Sequence, residues 1–392
     1  MKTNFKGVID TTFREGQQSS LLFDARKYKF SLEDKKAIFQ NLLKLGVRMF
    51  EFFSPVVSEE EISHFEILKS LALKLGYKEV KFLAHCRIKK EDIFSALKAG
   101  FNGLNLYLNL SPYSGAIYSN SLRKLIDEVI KIIINLKKQH PDLYIRFSAE
   151  DFFRSDLNKV LNLYDAIHRY VDTLGIPDTV GIAIPQEVEK KIQYLRKRYP
   201  EVNLEVHFHN TRGFSLINAL TAVKSGANYV DTTILGIGER SGITSLTGLL
   251  LNLYLEDKNY VKNYDLKLCY LLNVLLGSIL NMPVPSTEPV SLINRTHVAG
   301  VHQKAVLNNK QSYEGIPLHR FGVNKSTFLL GPLSGTNLIY YFLKEIKGYH
   351  ITKEQAKIIT KEFKSTFSRY QQINNPEDIL MIIADSKGYQ KK

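Results

Sequence analysis

The sequence is poor in cysteine and has no tryptophan: 392 residues include only two cysteines, Cys86 and Cys269. Two cysteines cannot form a disulfide framework, so a small secreted protein held together by disulfides is excluded. Long apolar runs are also missing, because stretches such as 249–255 and 271–280 are too short and interrupted to cross a bilayer. Residues 1–16 lack the apolar segment of a secretory signal peptide. These absences predict a globular, cytoplasmic protein with no membrane partner.

Acidic residues are fewer than basic ones, with 39 Asp+Glu against 53 Lys+Arg and a net charge of +14. Such a charge is compatible with nucleic acid, a membrane surface or anionic small molecules. The basic residues are scattered along helical segments without a dense run, a pattern typical of solvated helix faces. We therefore expect no nucleic-acid partner.

Helical and strand-like segments alternate through the first 255 residues. Four helical segments end in a glycine preceded two positions earlier by a lysine, namely Gly46, Gly76, Gly100 and Gly226. Including the runs that follow these glycines, eight short apolar segments read as strands, at 7–12, 47–53, 80–83, 104–108, 143–147, 171–176, 204–208 and 229–234. Eight such units in about 250 residues, without Gly-x-Gly-x-x-Gly after the first strand, predict a (β/α)₈ TIM barrel.

Three regions are predicted from the change in pattern after residue 255. Residues 1–260 form the catalytic barrel, 261–330 a linker region or subdomain, and 331–392 a small C-terminal helical subdomain. In a barrel of this kind the active site lies at the C-terminal ends of the strands, where six of the eight predicted strands carry ionisable residues.

Two histidines two positions apart, His207 and His209, are the most distinctive of these residues. Residues i and i+2 of a strand point to the same face, so both imidazoles can reach one ion, and Glu15 after the first strand can supply a carboxylate. This donor set is compatible with Mg²⁺, Mn²⁺, Zn²⁺ or Fe²⁺. Glu205 on the same face is either a carboxylate behind the ligands or the buried partner of a lysine.

Three motifs carry a family resemblance: DTTFREGQQ at 10–18, HFHN at 207–210 and GIGERSGITSL at 236–246. They resemble the metal-dependent acyltransferases and lyases that include isopropylmalate, homocitrate and citramalate synthases and hydroxymethylglutaryl-CoA lyase. Glu15, the segment 146–151 and Gly242-Ile243 are most similar to the homocitrate synthase branch. The downstream segment 296–302 with Tyr313 matches the synthases and is absent from the lyase.

The resemblance implies an enzyme of amino-acid biosynthesis, in the lysine pathway, that condenses acetyl-CoA with a 2-oxo acid in a Claisen reaction. It implies a divalent metal on Glu15, His207 and His209, and a homodimer in which His302 reaches the partner subunit's active site. The other implied residues are Arg14, Glu150, His302 and Tyr313 for catalysis, and Arg14, Gln18, His85, Asn105, Arg146, Ser148 and Thr179 for substrate binding.

Asn105 departs from the aspartate of the homocitrate synthase pattern, at the position that contacts the far end of the oxo acid. The best interpretation is 2-oxoglutarate as substrate, giving homocitrate and CoA. Oxaloacetate, 2-oxoisovalerate and pyruvate remain open for the same chemistry. A catalytically inactive barrel that acts as a binding module is the alternative outside enzymes.

Overall fold

The chain divides into two compact units, with the boundary between Val290 and Ser291. The structure is a computed structural model that describes residues 4–113, 122–369 and 374–391. The segment 261–290, predicted as part of a linker, belongs to the first unit because its helix Cys269–Ile279 packs on helices of the barrel. The boundary therefore lies thirty residues later than the change in sequence pattern suggested. Within the described residues, every helix is too short or too polar to span a bilayer.

Eight parallel strands close a barrel in the first unit, which confirms the predicted fold. They are β1 (Gly7–Asp10), β2 (Met49–Phe53), β3 (Lys81–Arg87), β4 (Gly103–Asn109), β5 (Tyr144–Glu150), β6 (Thr173–Asp178), β7 (Asn203–Phe208) and β8 (Tyr229–Thr232). The sheet closes where β1 pairs with β8, with Gly7 opposite Tyr229 and Asp10 opposite Thr232. Each strand corresponds to one of the apolar runs in the sequence.

Helices follow the strands of the barrel along the chain, and two of them come after β8. The helices of the first unit are α1 (Ser20–Asp24), α2 (Leu32–Leu45), α3 (Glu59–Lys74), α4 (Lys90–Ala99), α5 (Leu122–Gln139), α6 (Leu157–Ile167), α7 (Pro185–Arg198), α8 (Ser215–Lys224), α9 (Leu246–Glu256) and α10 (Cys269–Ile279). Ser31 and Asp34 form a reciprocal capping box that starts α2. Gly46 ends it in the left-handed region at φ 118°, a conformation that favours glycine.

The barrel interior is layered along the strands. Ile9, Met49 and Leu83 form a buried apolar cluster at one level. Two residues further along the same strands, on the same inward face, lie the polar side chains of Glu51 and His85. The apolar layer thus closes the barrel beneath a polar layer that faces the C-terminal ends of the strands.

The second unit is mainly helical. It contains the short strands β9 (Thr296–His297) and β10 (Thr327–Phe328) and the helices α11 (Gly300–Asn308), α12 (Thr336–Tyr341), α13 (Lys353–Arg369) and α14 (Pro376–Ser386). Ile339, Leu343, Ile359, Phe363 and Leu380 form its apolar core, each fully buried. The predicted small helical subdomain is present in this unit.

Candidate active site

A cavity of about 240 Å³ opens at the C-terminal ends of the barrel strands. It is lined by every residue that the sequence assigned to the barrel site: Arg14, Glu15, Gln18, His85, Asn105, Arg146, Ser148, Glu150, Thr179, His207 and His209. His302 and Tyr313 lie in the second unit, where their rings stack with centroids 4.0 Å apart. The strands therefore bring eleven of the thirteen predicted site residues to one cavity.

Glu15, His207 and His209 form a buried cluster whose ligand atoms all lie within 4.8 Å of one another. His207 Nδ1 lies 3.1 Å from Asp231 Oδ2, which leaves Nε2 of this ring available to an ion. Within the described residues, His209 Nδ1 is buried without a hydrogen-bond partner. The His209 ring, whose Nε2 lies 3.9 Å from Glu15 Oε1, thus adjoins a carboxylate and a second imidazole, an arrangement that fits a metal site.

The protonation states of this cluster suit metal binding. Burial and the neighbouring His207 lower the pKa of His209 to about 3, so that its imidazole is neutral near pH 7. Burial acts to raise the pKa of Glu15, but Arg14 and the two histidines outweigh it and lower that pKa to about 2. A neutral imidazole and an ionised carboxylate are the forms that coordinate divalent cations.

Two arginines beneath the cavity are held by buried carboxylates. Arg146 donates through Nη1 and Nη2 to both oxygens of Asp231, at 2.8 and 3.2 Å, and through Nη2 to Glu51 at 2.6 Å. Arg14 Nε donates to the other oxygen of Glu51 at 2.9 Å and also contacts Glu15. Glu51 and Asp231 therefore neutralise and orient the two cations that face the cavity.

Sequence reasoning missed Glu51 and Asp231, both of which are fully buried. Each is the one acidic residue of its strand, on the inward face two positions after Met49 or Tyr229. That isolated carboxylate was the available signal, because a buried acid needs a partner. The identity of the partner arginine was not readable from the sequence.

His85, Asn105 and Ser148 form one polar wall of the cavity. Asn105 Nδ2 lies 3.0 Å from both Glu51 Oε2 and His85 Nδ1, and Ser148 Oγ donates to Asn105 Oδ1 at 2.9 Å. Burial and Arg14 lower the pKa of His85 below its usual value. This wall combines neutral donors and acceptors with the Glu51 carboxylate directly behind them.

Glu150 on β5 and Glu205 on β7 are carboxyl groups whose pKa values are raised. Burial and nearby acidic groups raise the pKa of Glu205 well above its usual value, although Arg146 lies 3.7 Å away. Among the described residues, the basic side chain within 4.0 Å of the buried Glu205 is Arg146, and the lysine partner that the sequence left open is not found there. Burial also raises the pKa of Glu150, as suits a group that exchanges protons.

Comparison with known proteins assigns a family to both units. The HMGL-like family model matches residues 7–275, which include the barrel and its cavity. The model for the homocitrate synthase post-HMGL domain matches residues 292–371, in the second unit. The matches meet near the boundary that the structure places after Val290.

Curated relatives match over most of their own length. The mitochondrial homocitrate synthase of Schizosaccharomyces pombe is 34% identical over 367 residues, covering 93% of this chain and 84% of that protein. The cytosolic isozyme of Saccharomyces cerevisiae is 34% identical over 368 residues, covering 92% and 82%. 2-Isopropylmalate synthase 1 of Caldanaerobacter subterraneus is 30% identical over 389 residues, covering 97% and 95%.

Solved structures support the barrel fold. The HMG-CoA lyase of Bacillus subtilis superposes with a TM-score of 0.59 at 21% identity, covering 73% of this chain and 98% of that one. An Acinetobacter baumannii HMG-CoA lyase in complex with coenzyme A and 3-methylmalate gives 0.58 at 20% identity, covering 73% and 95%. Together with the sequence relatives, these matches show that the chain belongs to the HMGL-like family as a homologue of homocitrate synthases, enzymes of the acyltransferase type that condense acetyl-CoA with a 2-oxo acid.

Proposed function

We propose that the protein condenses acetyl-CoA with 2-oxoglutarate to give homocitrate and free CoA, as a step of lysine biosynthesis. The enol form of the acetyl group attacks the keto carbon of the oxo acid, the resulting alkoxide takes up a proton, and water cleaves the thioester. A divalent cation held by Glu15, His207 and His209, with Mg²⁺, Mn²⁺ and Zn²⁺ as candidates, would polarise the keto group.

The observation that carries this proposal is the polar wall, which lines the same cavity as Glu15, His207 and His209. His85, Asn105 and Ser148 offer hydrogen bonds where the far end of a bound oxo acid would lie. A terminal carboxylate can form further hydrogen bonds with this wall, whereas the branched alkyl end of 2-oxoisovalerate would displace water from its polar groups and offer no hydrogen bond in return. The wall thus supports a dicarboxylic oxo acid.

The charged side chains of the barrel have separate roles in this proposal. Arg14, held by Glu51 and Glu15, places positive charge beside the developing alkoxide. Arg146 faces the cavity from below, and its pairing with Asp231 keeps it in position for a substrate carboxylate. Thr179 and Gln18 line the same cavity and complete the substrate contacts.

The proton transfers are assigned to Glu150, His302 and Tyr313. Glu150 lines the cavity with a raised pKa, and His302 stacks on Tyr313 in the second unit. One of these groups removes a methyl proton from the acetyl group, and together they assist the later hydrolysis. In this proposal His302 acts at the partner subunit's cavity in a homodimer.

The substrate is tested with purified protein, acetyl-CoA and one divalent metal at a time. Release of the CoA thiol is followed with 2-oxoglutarate, oxaloacetate, 2-oxoisovalerate and pyruvate in turn, and we expect the highest kcat/KM with 2-oxoglutarate. Asn105→Asp is the matched variant, because it restores the homocitrate synthase pattern. A preference for 2-oxoisovalerate in both proteins would refute the homocitrate assignment. No thiol release with any oxo acid and metal would favour an inactive binding module.

The shared active site is tested by mixing two inactive variants, Glu15→Gln and His302→Ala. In a mixed dimer with shared sites, one cavity carries both changes and the other carries neither. After subunit exchange we expect about a quarter of wild-type activity, since about half of the dimers are mixed and one of their two sites is intact. No recovery in proven mixed dimers would place both residues in one chain's site.

The cytoplasm is the proposed location of the protein. The curated relatives are named as mitochondrial and as cytosolic enzymes, so their names support either compartment. Fractionation of cells that express the full chain at its natural level, followed by immunoblotting, is the test. Recovery in the soluble cytoplasmic fraction is expected, and recovery in an organelle would contradict the proposal.

A further inference from the structure

Two exposed arginines beside the cavity, Arg212 and Arg240, carry charge that the proposed chemistry does not use. Arg212 follows β7 and Arg240 follows β8, so both lie at the C-terminal end of the barrel. We propose that they form a phosphate-binding subsite for the CoA moiety of the acyl donor. This inference deepens the proposed function and rests on it.

Both guanidinium groups bind carbonyl oxygens of one short loop. Arg212 Nη1 donates to the carbonyl of Ile182 at 2.9 Å, and Arg240 Nη2 donates to the carbonyl of Thr179. Thr179 and Ile182 belong to the loop that connects β6 to α7. Two positive charges are therefore anchored three residues apart along one segment of backbone.

This loop is held in a fixed conformation. The Asp178 carboxylate accepts hydrogen bonds from the backbone N–H groups of Gly181, Ile182 and Ala183 at 2.9–3.1 Å. Gly181 has φ +73°, and a Cβ there would lie 2.8 Å from the carbonyl oxygen of His209. The loop thus packs directly on the segment that follows the second histidine, and its carbonyls give the arginines a defined support.

The segments that carry the two arginines are also bonded to each other. The backbone N–H of Asn210 donates to the carbonyl of Gly242 at 2.8 Å, and His209 and Ile243 form an isolated antiparallel bridge. These contacts lie two residues before Arg212 and two residues after Arg240. Because the two backbone segments are hydrogen-bonded at these points, the two arginines lie on one continuous surface beside Glu15, His207 and His209.

The other arginines at this end of the barrel are neutralised by carboxylates. Arg87, the last residue of β3, donates through Nε and Nη2 to both oxygens of Asp92 at 2.9 and 2.8 Å. Arg154 after β5 contacts both oxygens of Asp151 at 2.6–2.9 Å. Among the described residues, neither Arg212 nor Arg240 has a carboxylate within 4.0 Å. Carbonyl contacts leave the positive charge uncompensated, so both groups can still bind an anion.

The placement of the pair favours the phosphates of CoA over the carboxylates of the oxo acid. Arg240 lines the cavity together with Glu239, whereas Arg212 is exposed beyond the cavity lining. An anion that engages both residues must extend from the cavity onto the rim. A small oxo acid bound beside Glu15 ends inside the cavity, but CoA carries its phosphates on a long pantetheine arm. Arginine binds phosphate with paired, charge-assisted hydrogen bonds.

The subsite is tested by isothermal titration of the full-length protein with CoA and, separately, with pantetheine, which lacks the phosphates. We expect each of Arg212→Gln and Arg240→Gln to weaken CoA binding about fivefold to tenfold, and the double variant about 30-fold or more. Pantetheine binding should not change. Raising NaCl should weaken CoA binding by the wild type more steeply than by the double variant.

The charge-matched control is the double variant Lys262→Gln/Lys267→Gln, which removes two exposed cations on the segment after α9. It should bind CoA as the wild type does. Wild-type CoA affinity in the arginine double variant, or no CoA binding by the wild type, overturns the subsite. An increase in KM confined to the oxo acid would also overturn it, by assigning the arginines to that substrate.

Failure of the proposed function has a different signature. In that case no oxo acid supports thiol release, while CoA still binds in an arginine-dependent manner, and the subsite stands without the reaction. Thermal unfolding of each variant identifies any loss of folded protein. Since both side chains are exposed, we expect the unfolding midpoints to change little.

Discussion

Replacing Asp231 with Asn tests whether this buried carboxylate supports metal binding by the proposed ligands Glu15, His207 and His209, or only orients Arg146. Asp231 is fully buried and has two kinds of partner, Nη1 and Nη2 of the Arg146 guanidinium and Nδ1 of His207 at 3.1 Å. Asn has nearly the same shape but only one acceptor oxygen and no charge. The change therefore removes the carboxylate from His207 without opening a cavity.

Two magnitudes follow from these contacts. Loss of the carboxylate behind a metal-binding histidine lowers metal affinity by about 10–100-fold, or about 1.4–2.8 kcal/mol. Breaking a buried charge pair costs about 3–5 kcal/mol when the remaining charge is left alone. In the variant Arg146 still has its ion pair with Glu51, whose Oε2 lies 2.6 Å from Nη2. We therefore expect the free energy of unfolding to fall by about 3 kcal/mol, at the lower end of that range.

The assay uses metal-free protein titrated with ZnCl₂ or MnCl₂ by calorimetry, together with thermal unfolding in the presence of a chelator. Asp165→Asn is the matched control, because Asp165 pairs with Arg198 on the surface, where an ion pair contributes about 0–1 kcal/mol. It should leave metal affinity unchanged. If Asp231→Asn loses stability but binds metal with the wild-type Kd, then Asp231 orients Arg146 alone and the reasoning about His207 fails.

Three further predictions concern the same barrel. Glu15→Gln should abolish turnover and weaken metal binding while the fold persists, as followed by thiol release and circular dichroism. Gly175→Ala should destabilise the protein by about 1–3 kcal/mol and raise the KM for the oxo acid, because a Cβ there would lie 2.2 Å from Ser148 Oγ. Asp10→Asn should stabilise the protein above pH 7 by about 2–4 kcal/mol in denaturant unfolding, since burial raises the pKa of Asp10 to about 7 and folding then opposes its ionisation.

The controls for these variants come from the same chain. Gly315→Ala adds a Cβ with nothing within 4 Å and should be neutral, so an equal loss in both glycine variants would exclude the steric explanation. Because its pKa is raised on folding, protonated Asp10 contributes to the free energy of unfolding. This contribution is complete below about pH 4 and is lost as the pH rises through about 7. The stability gain of Asp10→Asn should therefore vanish in acid, and a gain that is independent of pH would contradict it.

Periodicity and local chemistry were sufficient for the elements of the fold. Gly46, Gly76, Gly100 and Gly226 all have positive φ, as expected from their position after a helix and a lysine. The eight apolar runs all form barrel strands, although β3 extends four residues further and β8 ends two residues earlier than predicted. Such features depend on interactions between residues near in sequence, which a single chain displays directly.

That His207 and His209 lie side by side was also predictable, since alternate residues of a strand share a face whatever the strand packs against. The partners across the barrel were not. Glu51, Arg146 and Asp231 come from β2, β5 and β8, and they meet only because the sheet closes and the strands are staggered within it. In the sequence each of these residues is the only one of its charge sign in its strand, and nothing near it in the chain identifies its oppositely charged partner.

The sequence by itself determined the eight strands of the barrel and the face that His207 and His209 share, and with the family resemblance it predicted that Glu15 lies beside them. Only the tertiary structure decided how the buried charges are shared, which arginines at the rim are neutralised, and that Arg212 and Arg240 have no carboxylate within 4.0 Å in the described part of the chain. The physical reason is range. Backbone periodicity and capping act over a few residues, whereas an ion pair is set by through-space distance after residues more than eighty positions apart have been brought together by barrel closure.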